Sequence, residues 1–365
     1  MTPELLSRIR DLRDARRAFA LATVVRTTGS TPQVVGARMV VVDDDERGRA
    51  AGTLGGGCVE ADAILAGREA IRTGDRSLRA YELTEDLAWN TGLVCGGTMW
   101  ILAEREDAAL SIDGDDVLDV LARAAAGGPP AAVITLLERG SARRVTFARR
   151  MLVGADGARI GDLANDEVTR RATDAALAQL PHGTPRLVAL DDAHDLLIEP
   201  VAGRPQIVIA GGGHVAQAIA RQARLLDFDV TVLEDRPEFA DPSRFDGARV
   251  LAGDIPSTLA SLDYGWSSFI VVATRGHKLD ADCVLAAVGT PARYIGLLGS
   301  RRKTILIDEL LREHGVAEDR RRAIRAPVGL DLGGRTPAEI ALSVLAEITQ
   351  IRYAGTGRHL SAARS

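Results

Sequence analysis

The run Gln206-Ile207-Val208-Ile209-Ala210-Gly211-Gly212-Gly213-His214-Val215-Ala216 constrains the fold more than any other stretch of the chain. Five residues of buried-strand composition lead straight into a turn of the form G-x-G-x-x-A, and helical patterning follows from about Val215 to Leu226. A second short apolar run, Asp229 to Leu233, ends in Glu234-Asp235. That acidic pair falls roughly twenty residues past the glycines, where a ribose hydroxyl ligand is expected. Strand, glycine turn, helix, strand and acid follow in the order that a parallel α/β unit requires.

Further strands are expected at Arg249 to Leu251, Phe269 to Thr274 and Tyr294 to Leu298, so residues 205–355 form a Rossmann-like domain. Open α/β sheets bind ligands at the carboxyl ends of their strands. Two such ends carry Arg275-Gly276-His277 and Gly299-Ser300-Arg301-Arg302-Lys303. The candidate cofactor-binding residues of this half are therefore Gly211, Gly213, His214, Asp235, Arg275, His277, Ser300 and Arg301. Arg236 directly follows the acids, so NAD and NADP remain equal alternatives. His214 reads as a helix cap or a phosphate contact, and His277 as a proton donor and acceptor or a structural residue. The Gly299 loop reads as an anion loop or as a glycine turn with a basic first helical turn. The basic clusters themselves read as solvated helix surface. Cys283 belongs to a helix core. Thr336-Pro337-Ala338-Glu339 is a capping-box helix start, with the helix running to about Tyr353 and a disordered tail over 356–365.

The first 105 residues read as a separate domain of strands and turns. Met1 to Arg17 alternates charge with leucine, as an amphipathic helix does and a signal peptide does not. Strands are expected at Phe19 to Val25, Met39 to Val42 and Thr98 to Ala103, with Asp43 to Arg47 as an acidic surface turn. Two of the three cysteines lie in glycine runs, Gly55-Gly56-Gly57-Cys58-Val59-Glu60 and Cys95-Gly96-Gly97. Glycine admits positive φ and lets a ligand approach main-chain N–H groups, and successive N–H groups form an anion-binding concavity. A thiol in that setting is pushed towards thiolate, which attacks, ligates metals or carries sulfur. The alternative is that both thiols are buried beside tight turns. Cys58 to Ile71 has helical periodicity ending near Gly74, which puts the glycines at a helix N-terminus. Residues 106–204 read as a mixed α/β connecting region, with a helix over 107–126, a second helix from Asp166 to Ala178, and no concentration of chemistry.

Composition narrows the function by exclusion. With 46% hydrophobic and 26% charged residues the chain is globular, and a net charge of −5 gives no case for nucleic-acid or anionic-membrane binding. No apolar run approaches the 18 or so residues that cross a bilayer. Three cysteines without CxxC spacing imply neither a disulfide framework nor a structural zinc site, which suits a reducing cytoplasm.

Taken together, Thr28-Gly29-Ser30-Thr31-Pro32, Gly56-Gly57-Cys58-Val59-Glu60 and Cys95-Gly96-Gly97 resemble the N-terminal domain of the xanthine dehydrogenase accessory protein (XdhC/CoxI) family. The second half resembles that family's Rossmann domain through Gly211 to Ala216, Thr274 to His277, Tyr294 to Arg301 and Pro327-Val328-Gly329-Leu330-Asp331. The resemblance implies a molybdenum cofactor chaperone. Such a protein holds the cofactor while a cysteine desulfurase supplies a sulfur ligand, then hands it to a molybdenum hydroxylase apoenzyme of the xanthine or carbon monoxide dehydrogenase type. It also implies a homodimer. Cys58 and Cys95 are the expected molybdenum contacts, with Gly55, Gly56, Gly57, Gly96 and Gly97 as backbone donors and Ser30 and Thr31 as second-rank candidates.

Two other readings stand beside it. One is an NAD(P)-dependent oxidoreductase acting through His277 or His214; the other is a Rossmann half retained as a docking surface without nucleotide. A xanthine dehydrogenase in its own right is not expected, because one [2Fe–2S] cluster needs four thiolates and the chain has three cysteines. Nor is the chain expected to be long enough for a molybdenum domain beside a flavin domain.

Overall fold

The computed structural model describes residues 1–43, 48–83, 96–140, 144–353 and 355–359. Cys95, part of the 43–47 turn and the tail beyond 359 lie outside the described residues. The chain forms two compact units, Met1–Ala202 and Gly203–Ser365.

The first unit opens with α1 (Pro3–Asp14), capped by the Thr2 hydroxyl and burying Leu5, Leu6, Ile9 and Leu12. Strands β1 (Phe19–Thr28), β2 (Arg38–Val42) and β3 (Arg49–Gly52) lead into α2 (Gly57–Thr73), followed by β4 (Ser77–Glu82) and β5 (Thr98–Arg105). They make an antiparallel sheet in the order β3-β2-β1-β5-β4, with Phe19 opposite Val42 and Ala20 opposite Arg105. The single helix expected over 107–126 is broken. Short α3 (Glu106–Ala109) gives way to a hairpin of β6 (Ser111–Ile112) and β7 (Asp115–Asp116), then α4 (Leu118–Ala125). The cause is Asp113-Gly114, both at positive φ, the local signature of a tight hairpin turn.

Next come β8 (Ala131–Arg139), β9 (Val145–Gly154), β10 (Arg159–Ile160), α5 (Asp166–Gln179), β11 (Arg186–Ala189) and β12 (His194–Val201). Their strands form a second antiparallel sheet in the order β10-β9-β8-β12-β11. Side chains alternate across a strand, and that alternation sorts this unit into layers. Ala20, Ala22 and Val24 of β1 pack with Val59 and Ala63 of α2, whereas Leu21 joins Val133, Leu152 and Val201 of the second sheet. On β8, Ala132, Ile134 and Leu136 pack with Ala172 and Ala176 of α5. The result is helix, sheet, sheet, helix, with α1 and α4 sharing the core between the sheets.

The faces between the sheets also carry charge. Both oxygens of buried Glu199 accept from one Arg38 nitrogen at 3.0 Å, Glu104 pairs with Arg76 and Arg150 at 2.7 Å, and Asp195 lies 3.6 Å from Arg26 and Arg139. A carboxylate removed from water costs stability unless it is paired, so each of these ties one sheet to the other.

The second unit runs β13 (Gln206–Ala210), α6 (His214–Leu225), β14 (Asp229–Glu234), β15 (Arg249–Ala252), α7 (Ile255–Ser261), β16 (Ser268–Val272), α8 (His277–Val288) and β17 (Tyr294–Leu297). It ends with α9 (Arg301–Glu313), α10 (Glu318–Ala323) and α11 (Pro337–Arg352). All strands are parallel in the order β15-β14-β13-β16-β17, with Val208 beside both Thr231 and Ile270. That is the doubly wound order with its reversal beside β13. One sheet face is covered by α6 and α11, the other by α7, α8 and α9. The capping box at Thr336 and Glu339 is present.

Replacing Glu104 with Ala leaves the buried Arg150 guanidinium without its carboxylate, and the loss of one partner of a buried pair costs about 3–5 kcal/mol. Urea unfolding should show this loss. Loss of the exposed Arg170–Glu167 pair through Arg170→Ala should leave the urea midpoint nearly unchanged, because solvent screens such a pair.

Candidate functional site

In the first unit, three loops meet at one end of the first sheet. Gly29, just past β1, has positive φ, and a Cβ there would lie 2.9 Å from Gly97 Cα; a Cβ on Gly97 would meet the Thr28 carbonyl at 2.5 Å. The backbones of 28–30 and 96–97 therefore touch with no room for a side chain at Gly29 or Gly97. A Cβ on Gly55 would meet Pro32 at 3.0 Å, which brings in the third loop. The sequence motifs around Ser30, Gly55 and Gly96 are thus neighbours. The Thr31 hydroxyl is turned inward, donating to the Gln33 carbonyl at 2.7 Å. Ser30 and Gly96 are exposed.

Gly55, Gly56 and Gly57 all have positive φ, and Gly56 is the N-cap of α2. Two of their N–H groups already have partners within the loop. Gly55 donates to the Thr53 hydroxyl at 3.1 Å and Gly56 to Glu60 Oε2 at 3.1 Å. The same Glu60 oxygen accepts from Leu54 N–H at 2.9 Å and the Thr53 hydroxyl at 2.8 Å, while Oε1 pairs with Arg49 at 3.0 Å. Burial pushes the Glu60 carboxyl up, but these donors and the Arg49 charge outweigh it and hold the group below the usual carboxylate range. The loop is thus built around its own anion. What faces outward is the start of α2, with the Cys58 thiol exposed in its first turn. Among the described residues, a Cβ on Gly56 or Gly96 would meet nothing within 4 Å.

In the second unit, the glycine turn repeats the device. Gly211 approaches the Ala273 carbonyl too closely for a Cβ. Gly212 N–H donates at 2.6 Å to Glu234 Oε2, and Arg236 binds both oxygens of that carboxylate at 2.8 and 3.1 Å. Burial pushes Glu234 up; the Arg236 guanidinium, the neighbouring Asp235 and the Gly212 N–H bring it down to about 2. Asp235, singled out from the sequence, is turned instead to Arg275, with bonds of 3.2 and 3.0 Å. Gly213 caps α6, and His214 is exposed in its first turn.

His277 is exposed at the start of α8 behind the Gly276 cap. The Ser300 hydroxyl caps α9 and Arg301 is exposed. Within the Arg301-Arg302-Lys303 run one residue is not solvated surface. Lys303 reaches inward, pairs with fully buried Asp280 and donates to the Leu298 carbonyl at 3.2 Å. Asp280 also accepts from the Thr274 hydroxyl at 2.6 Å, so one buried carboxylate ties together the loops after β16 and β17. Cys283 is buried in α8, where burial and the Asp280 charge push its thiol up to about 12. It is an unreactive core residue.

The roles of Glu60, Glu234, Asp280 and Lys303 do not emerge from the sequence. Glu60 closes the Gly-Gly-Cys-Val-Glu motif and Glu234 ends its strand, so both positions are visible there. Their pairing with glycine N–H groups is not. Among the described residues no group of three His, Cys, Asp or Glu side chains is placed to hold a metal ion, and no helix is long and apolar enough to cross a membrane.

These features define a two-unit α/β protein with a glycine loop organised around a carboxylate in each unit. Residues 207–348 match the XdhC Rossmann domain, and residues 12–82 and 124–191 match the XdhC and CoxI family. Together these matches take in well over half of the chain, which belongs to the XdhC and CoxI family. The chain is 35% identical over 235 residues to YqeB of Escherichia coli, a stretch covering 60% of this chain and 43% of that protein; it spans less than half of that relative's length. It is 27% identical over 338 residues to a probable xanthine dehydrogenase subunit of Bacillus subtilis, covering 91% and 92% of the two chains. To the molybdenum cofactor insertion chaperone PaoD of Escherichia coli it is 27% identical over 339 residues, covering 92% and 84%. The crystal structure of a xanthine dehydrogenase from Bacillus halodurans shares the fold, with a TM-score of 0.54 at 21% identity over 100% of this chain and 98% of that one.

The Glu234 carboxyl gives the second unit a pH dependence. Its pairing stabilises the folded state above the ordinary carboxyl value of 4.5 and is lost as pH falls towards about 2. Thermal unfolding of Glu234→Gln should lack this part of the acid destabilisation. A variant as acid-sensitive as the parent through that window would show that the pairing contributes none of it.

Proposed function

We propose that this chain is a maturation factor that binds the molybdenum cofactor as cargo and passes it to a molybdenum hydroxylase apoenzyme. The observation that carries this reading is the exposed Cys58 thiol in the first turn of α2, beside the meeting point of three glycine loops. The cargo suits that setting. Its pterin bears a phosphate, which favours the N–H groups at a helix start, and its metal accepts a thiolate ligand. Among the described residues nothing blocks a ligand from the backbone at Gly56 and Gly96, whereas Gly29 and Gly97 fix the loops against each other. Cys58 would contact the molybdenum, with the N–H groups of Gly57 and Cys58 towards the phosphate. Cys95 is proposed as the second thiol on its sequence motif alone. The similarity to PaoD supports the insertion role, and a cysteine desulfurase as sulfur donor and assembly as a homodimer belong to the same proposal.

A dehydrogenase reading gains less support. His277 has no hydrogen-bonded carboxylate or carbonyl to orient it among the described residues, and an acid–base histidine is normally oriented by a third group. Glu234 and Asp235, the expected ribose acceptors, are both engaged by arginines. The separate reading as a xanthine dehydrogenase in its own right lacks support because three cysteines are too few for one [2Fe–2S] cluster.

Molybdenum and pterin content should be measured on protein purified anaerobically from cells that make the cofactor. The parent should carry both. Cys58→Ala should retain at least about tenfold less, a loss of about 1.4 kcal/mol in binding, with unchanged thermal stability; Cys95→Ala is the companion variant. Full retention in both variants would remove the thiols from the site.

A further inference from the structure

A cavity of about 360 Å³ opens on the flank of α6 in the second unit, between that helix and the segment after β14. Gln217, Arg221 and Arg224 line it from one face of the helix, and Arg244 and Asp246 from the opposite wall. The wall is tied to the helix at both ends. Gln217 donates to the Arg244 carbonyl at 2.8 Å and Arg224 donates to the Asp246 carbonyl. Arg244 is itself held in place, donating to the Phe239 carbonyl at 2.9 Å with its guanidinium 4.7 Å and 5.4 Å from the Phe239 and Phe245 ring centres.

What these three arginines lack is a carboxylate. Elsewhere Arg26, Arg38, Arg139, Arg150, Arg236 and Arg275 all have one within 4.0 Å. Among the described residues Arg221, Arg224 and Arg244 do not, and Arg221 has no hydrogen-bond partner either. Asp241 feels the Arg244 charge but is held chiefly by the Ser243 N–H and hydroxyl. The cavity lining thus carries three guanidiniums to one carboxylate, Asp246, with Arg221 and Arg224 exposed to a ligand arriving from solvent, in a chain whose net charge is −5.

A carboxylate would offset one of those charges, whereas a phosphate monoester brings about −1.5 to −2 at neutral pH. Planar guanidinium forks also match phosphate oxygens in geometry. The volume lies at the small end of the range for small-molecule sites. We propose that this cavity binds a small phosphomonoester through Arg221, Arg224 and Arg244. The site is separate from the glycine turn and strand ends, and it does not depend on the cargo reading of the first unit.

The test is calorimetric titration of the full chain with glycerol 2-phosphate, and with acetate at matched ionic strength. The phosphate ester should bind saturably and acetate should not compete. Arg221→Gln, which removes no hydrogen bond or ion pair among the described residues, and Arg224→Gln should each weaken binding at least about tenfold, as loss of a hydrogen bond to a charged group does. Unchanged thermal unfolding of Arg221→Gln keeps the result free of folding effects. Absence of saturable binding to the parent, equal competition by acetate, survival of binding in both variants, or its loss on Arg275→Gln instead would each overturn the proposal.

Discussion

A carboxylate taken out of water must be met by donors, and in both units the donors are glycine-loop N–H groups and one arginine. Glu60 gathers the Leu54 and Gly56 N–H groups with Arg49 beside it. Glu234 gathers the Gly212 N–H with Arg236. Each glycine turn is therefore folded around a negative charge from its own chain before any ligand arrives. That fixes the path of the backbone into α2 and into α6, and it leaves only the outermost helix N–H groups to a visiting anion. Charge-assisted bonds to backbone N–H groups are among the stronger ones available to a loop, so the loops are pre-organised rather than assembled by their ligand.

The same rule operates at larger scale. Glu104, Asp195 and Glu199 sit between two sheets and are paired across them by arginines, so the sandwich has one registration in which every buried charge is met. Asp280 with Lys303 does this at the strand ends of the second unit. Apolar burial drives these layers together, but the buried ions make any slipped arrangement costly, because a charge would be left alone. Rigid sheets and tied loops hold an exposed thiol in a defined setting, which the proposed role as carrier of a reactive cargo requires.

Much of this is legible in the sequence. The parallel unit announces itself because its strands, glycine turn and acid are adjacent in the chain, and the Thr336 capping box is likewise a local signal. The helix over 107–126 fails for an equally local reason: Asp113-Gly114 asks for a hairpin, and the helical periodicity on either side does not carry across it. The pairing of Arg38 with Glu199, 161 residues away, depends on how two sheets stack, and no local pattern carries that. Glu60 and Glu234 are in view as residues but not as the partners of glycine N–H groups. An empty concavity and one already filled by a side chain have the same glycines, so the sequence does not tell them apart.

The most direct measurement is the rate at which iodoacetamide modifies Cys58, followed by mass spectrometry, in protein with and without bound molybdenum cofactor. Buried Cys283 serves as the unreactive internal reference. The account predicts that Cys58 is alkylated readily in the empty protein and protected when the cofactor is bound. Equal alkylation in both states would place the cargo elsewhere and contradict the assignment of this loop cluster as its seat.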